Sequence, residues 1–184
     1  MAPPPAHTAL IKPAIFALLA INAGIYTVAG RFSQGLDALA WFALLALFEI
    51  ETRYPLWTRI TRNAAVLDLL RLMATASVVI AALSFIHEGE WLDATNSWLW
   101  IGVLAVLELE VRAPSWINRY RKTATTVSLA LYGALAVVAL AWLAQGAWFD
   151  GYDALLWIAA FGLIEMDLLR LAAQTGPASG KIRN

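Results

Sequence analysis

The stretch "LALFEIETRYP", Leu45 to Pro55, carries the tail of a greasy run, Trp41 to Phe48, straight into two glutamates, Glu49 and Glu51. The same step returns as "LAVLELEVRAP" at Leu104–Pro114 and as "FGLIEMDLLRL" at Phe161–Leu171. An acid-x-acid step at one point of three apolar segments is an architectural signature, and the chain divides around it.

Setting the first acid of each pair (Glu49, Glu108, Glu165) as zero aligns three copies of a unit nearly sixty residues long. Eight residues earlier stands a tryptophan each time: Trp41, Trp100 and Trp157. Twelve earlier stand Asp37, Asn96 and Asp153, and seventeen earlier Phe32, Trp91 and Trp148. The second acid is Glu51, Glu110 or Asp167. Arg53 and Arg112, Pro55 and Pro114, and Trp57 and Trp116 extend the match in the first two copies only.

Composition says what kind of unit this is. Of 184 residues, 61% are hydrophobic and only 14% charged, whereas a soluble domain carries about a quarter of its residues as charges. Six apolar stretches follow: Ala9 to Gly30, Asp37 to Thr52, Ala64 to Ile86, Asn96 to Val111, Ala124 to Ala144 and Tyr152 to Leu171. A helix needs about 20 apolar residues to cross a hydrocarbon core, so the segments at Asp37 and Asn96 are short and require flanking anchors. The expected fold is an all-α integral membrane protein of six transmembrane helices, arranged as three tandem helical hairpins with pseudo-threefold repeat. The parts are a Pro-rich tail (1–8), hairpins at 9–63, 64–123 and 124–172, and a disordered C-terminal tail at 173–184. The N-terminal apolar stretch, with one lysine and no small-residue cleavage site, reads as a retained span.

Twelve of the thirteen basic residues fall on one side of this arrangement, and only Arg31 falls on the other, beside Glu88, Glu90, Asp93 and Asp150. The positive-inside rule then makes both termini cytoplasmic, in a multi-pass protein of a bacterial-type inner membrane. The lipid bilayer is the first partner. A membrane protein partner or a homo-oligomer is the second, and nothing points to nucleic acid.

Residues three and six before the first acid are small in every copy: Ala46, Ala105 and Gly162, then Ala43, Gly102 and Ala159. Small residues let membrane helices approach closely. Glu49, Glu108 and Glu165 are therefore expected to face the bundle, converging near a threefold axis. Positions two apart on a helix point about 200° apart, so Glu51, Glu110 and Asp167 face elsewhere.

Two readings of the acids stand side by side. Three carboxylates just inside the hydrocarbon must bind a cation, pair with bases or stay protonated, and oxygen ligands suit a hard cation. Alternatively each acid meets its own arginine, Glu49 with Arg53 and Glu108 with Arg112, at a favourable i, i+4 spacing. Asp68 and Arg71 form a further polar pair, three apart, in which Arg71 either neutralises one ring member or only joins Asp68. Trp41, Trp100 and Trp157 form the wall of a site or pack against a neighbouring hairpin.

Other chemistry is missing from the sequence. Without cysteine there is no disulfide or thiolate site, and without a mid-helix histidine pair there is no haem motif. No nucleotide motif or catalytic constellation occurs, so the chain does not read as an enzyme. Two functions remain: a small membrane protein that binds or conducts a cation or proton, and a non-catalytic scaffold, assembly factor or accessory subunit.

Overall fold

The structure, a computed structural model, describes residues 6–54, 61–112, 115 and 119–175. Within helices, the side chains of 6–10, 52–53, 61–63, 108, 110–112 and 164–175 lie outside the described set. The described residues form six helices: α1 (Ala6–Ala29), α2 (Phe32–Arg53), α3 (Thr61–Glu88), α4 (Trp91–Arg112), α5 (Arg121–Ala144) and α6 (Trp148–Thr175). Four of them, α1, α2, α3 and α5, are long and apolar enough to cross a membrane.

Short connections make α1–α2, α3–α4 and α5–α6 antiparallel neighbours, and their turns gather at one end of the bundle, here the turn end. Glycine ends two of the preceding helices in the same way. Gly89 (φ 77°) and Gly146 (φ 81°) adopt the left-handed conformation that a side chain would strain. Around them the carbonyls of Phe85 and Trp142 accept from Glu90 N and Ala147 N, each at 2.9 Å. These paired bonds satisfy carbonyls that a helix end would otherwise leave without partners.

Each helix packs against its chain neighbours, and α6 returns to α1. Among the described residues, no other helix pair brings Cα atoms within 8 Å. A closed ring of six leaves a centre that backbones do not reach, and large side chains must fill it. Trp41, Trp100 and Trp157 do so, at 5%, 4% and 9% exposure. Their ring centroids lie 6.1 Å (Trp41–Trp100) and 6.4 Å (Trp41–Trp157) apart, and Phe161 stacks 4.7 Å from Trp100. Leu45 and Val103 continue the same buried cluster with Phe48 packed against it. Outside, Leu69, Leu72, Met73 and Ile80 of α3 and Leu129, Val137 and Leu140 of α5 are exposed. So large an apolar surface matches lipid as its solvent.

One expectation changes. The helices α2, α4 and α6 begin at Phe32, Trp91 and Trp148, earlier than the polar residues Asp37, Asn96 and Tyr152 that marked their starts in the sequence. Asp37, Asn96 and Asp153 are therefore not punctuation. They stand one to two turns inside their helices.

Candidate functional site: an acidic chamber on a tryptophan floor

Because the helices start early, residues spaced i, i+3 and i+7 share one inward face on each of α2, α4 and α6. On α2 these are Gln34, Asp37 and Trp41; on α4 Asp93, Asn96 and Trp100; on α6 Asp150, Asp153 and Trp157. All nine line one cavity of about 50 Å³ at the turn end, with Tyr26 of α1 and Trp142 of α5 closing its side. The tryptophans form the floor.

Four carboxylates thus face a space large enough for about three or four water-sized groups. Their hydrogen bonds explain how they are held. The Trp41 indole donates to Asp37 Oδ1 at 3.2 Å, and the buried Ser97 hydroxyl donates to the same oxygen at 3.4 Å. Asn22 Nδ2 donates to Asp153 Oδ1 at 2.6 Å, and the Trp157 indole also bonds Asp153. Tyr26 donates to Asp150 Oδ1 at 2.8 Å. The two bonds from α1, with Tyr26 against Phe149 at 5.1 Å, tie the first helix to the last and close the ring.

All of these donors are neutral. The nearest cation is at the rim, where Arg31 bonds Glu90 and lies 3.5 Å from Glu88 and 3.9 Å from Asp93. Burial works against the Arg31 charge, but Glu90, Asp93 and Glu88 raise the guanidinium above its ordinary value, so it stays cationic. Ser33 adds a 2.7 Å bond to Glu88. One guanidinium is shared among three acids here, and carboxyl groups buried as those of the chamber are need a proton or a counter-charge.

On α4 the pattern breaks. Asn96 stands where α2 and α6 carry Asp37 and Asp153, and its Oδ1 is buried with no hydrogen-bond partner among the described residues. A buried acceptor left unmade costs about 1–3 kcal/mol. Among the described residues, no three Asp, Glu or His side chains are spaced to hold a metal ion.

The opposite end differs. Glu49 lies twelve residues below Asp37, about 18 Å along the helix. It meets Lys12 of α1 at 2.7 Å, with both side chains about seven-tenths buried. Glu51 bonds Arg71 of α3, which also contacts Asp68 at 3.2 Å. The side chains of Glu108, Glu110, Glu165 and Asp167 lie outside the described residues, as do those of Arg53, Arg112 and Arg170. Of the residues singled out in the sequence, the structure brings together Trp41, Trp100 and Trp157, and separately Glu51, Asp68 and Arg71. Asp37, Asn96 and Asp153 were read only as repeat positions, and the chamber acids Asp93 and Asp150, with Tyr26 and Asn22, were not read as site residues either. Their signal was the polar residue three positions before each of Asp37, Asn96 and Asp153.

Neither known protein families, nor curated proteins, nor solved structures give a match to this chain.

Proposed function

We propose that the protein is a multi-pass membrane protein that binds a small cation in the chamber between α2, α4 and α6. The observation that carries this reading is four aspartates around a small buried cavity, of which Asp37, Asp150 and Asp153 are held by neutral donors while Asp93 lies 3.9 Å from Arg31 at the rim. Carboxylates at such a place need a counter-charge or a proton, and intramembrane acids facing a bundle interior mark ion sites by default. In this reading all six helices cross the bilayer as three tandem hairpins. Among the polar residues that lower the hydropathy of α4 and α6, Asp93, Asn96, Asp150 and Asp153 are turned into the chamber and away from lipid. Both termini are cytoplasmic by the distribution of Lys and Arg, and the chamber opens to the other face of a bacterial-type inner membrane.

Binding fits better than conduction. Below the tryptophans the axis is filled by Leu45, Val103, Phe48 and Phe161, and no polar side chain among them offers a relay. The ring of Glu49, Glu108 and Glu165 would be a second polar level on the cytoplasmic side, holding a cation or proton of its own. The scaffold reading draws on the loop end, where Glu49 and Glu51 already have basic partners on neighbouring helices.

The test is thermal unfolding of the protein in lipid nanodiscs across NH4⁺, Na⁺, K⁺, Mg²⁺ and pH, beside the Asp37→Asn, Asp153→Asn double variant. A ligand bound only by the folded state stabilises it by about 2.7 kcal/mol at 100 times its Kd. A saturable shift is expected in the parent and not in the variant, whereas Glu49→Gln should retain it. An unchanged shift in the double variant, or none in the parent, would overturn the reading. Stable co-purification with a membrane partner would then favour the scaffold.

A further inference from the structure

We propose that the chamber's cation is an ammonium bearing its own N–H donors, either ammonium itself or the head of a primary amine, and that Asn96 Oδ1 accepts one of them. This rests on the cation-binding reading and narrows it to a ligand class.

The first observation is the broken equivalence of the three helices. Asp37 and Asp153 each receive the indole N–H of the tryptophan four residues later. Asn96, at the same register of α4, lines the cavity, and its buried Oδ1 has no partner among the described residues. An acceptor of this kind is completed by a partner arriving with the ligand, an N–H donor or a cation. An ammonium needs it as one directed hydrogen bond, whereas a metal ion uses it only as one of several oxygens converging on a point.

The second is the spread of the acids. A hard metal ion gathers six or more oxygens at short, uniform distances. Among the described residues no three acids or histidines converge in that way. The acceptors instead line the wall on three separate helices, α2, α4 and α6. The floor is the third. Tryptophan is the best π face for a cation, and three indoles lie together at the bottom of the chamber. A methylammonium tip has two non-hydrogen atoms, and a cavity of about 50 Å³ accepts it with a water or two. A quaternary ammonium matches the floor but has no N–H for Asn96. A longer amine would leave its chain in the mouth beside Arg31.

The experiment is calorimetric titration of the nanodisc-embedded protein with methylammonium, tetramethylammonium, Na⁺, K⁺ and Ca²⁺. It compares the parent with Asn96→Leu, close in volume without the acceptor, and Asn96→Asp, which restores the pattern of α2 and α6. A site built to hydrogen-bond its ligand rejects an analogue lacking the donor. Methylammonium is expected to bind at least about tenfold tighter than the other four cations. Asn96→Leu should lose that preference and Asn96→Asp should keep it. Na⁺ or K⁺ binding as tightly as methylammonium would overturn the ammonium assignment and leave cation binding standing. Equal affinity for tetramethylammonium would overturn the role of Asn96, with the aromatic floor alone selecting the ligand. No cation bound by any variant would remove both readings together.

Discussion

The two ends of this bundle use the same residue types to different effect. At the loop end each described carboxylate of α2 meets a base on another helix: Glu49 meets Lys12, and Glu51 meets Arg71. At the turn end one guanidinium, Arg31, serves Glu88, Glu90 and Asp93, while Asp37, Asp150 and Asp153 are held by indole, hydroxyl and amide donors. Neutral donors fix a carboxylate without cancelling its charge. An acid matched by a base is a fastener between helices, and an acid held by neutral donors inside a cavity keeps its field for something else.

The strongest attack on this comparison goes through the floor. Trp100 is buried between Trp41, Phe161 and Tyr132, and Trp100→Ala should cost about 3–5 kcal/mol of stability, as large-to-small core changes do. It should also abolish cation-dependent stabilisation, which unfolding in nanodiscs with and without ligand would read. A loss of stability with the cation response intact would show that the chamber does not depend on its floor. Next comes the seam behind the chamber. A Cβ on Gly151 of α6 would lie 2.7 Å from the Leu143 side chain and 3.1 Å from the Ala139 carbonyl of α5. Gly151→Ala is therefore expected to destabilise by about 1–3 kcal/mol. Gly133→Ala on α5 has open space around it and should be neutral or slightly stabilising, since alanine is the better helix former. Similar melting temperatures for the two variants would mean that α5 and α6 do not pack closely at the turn end.

At the loop end, Lys12→Met should cost about 1 kcal/mol, because Glu49 is left partly buried without its cation. The chamber should be indifferent to it. A change in cation response with Lys12→Met would instead couple the two ends and revive Glu49 as part of the site.

How far the sequence carried these conclusions depends on the kind of signal. The helices were legible because apolar runs of this length have few alternatives, and the meeting of Trp41, Trp100 and Trp157 follows a strict interval of eight residues from three acids. The chamber was not, for a specific reason. In hydropathy, Asp37 and Asn96 look like the ends of apolar segments, and only the short turns at Gly30–Arg31 and Gly89–Glu90 push the helix starts back to Phe32 and Trp91. That displacement of five residues turns a boundary into a wall. Asn22 and Tyr26 were invisible for another reason: their acids lie more than 120 positions away, and ring closure between α1 and α6 leaves no local pattern. Lys12 reaches Glu49 by the same kind of long-range packing, which the helical i, i+4 rule does not anticipate.

The smallest effect tests the fastener idea at its weakest point. Arg71 is 44% exposed and shared between Glu51, at 33%, and Asp68, at 73%. Asp68 is a neighbour on the same helix, so its pair forms in the isolated helix and adds little to the packing of α3. Glu51 belongs to α2, and only its bond to Arg71 crosses between helices. Solvent screening at this exposure limits a pair to roughly 0.2–1 kcal/mol. A double-mutant cycle of Arg71→Leu with Glu51→Gln should therefore give a small positive coupling, and one with Asp68→Asn a coupling smaller still. If the Asp68 cycle gave the larger coupling, Arg71 would be a local helix pair with no fastening role. The loop end would then retain only Lys12–Glu49 as a described cross-helix tie.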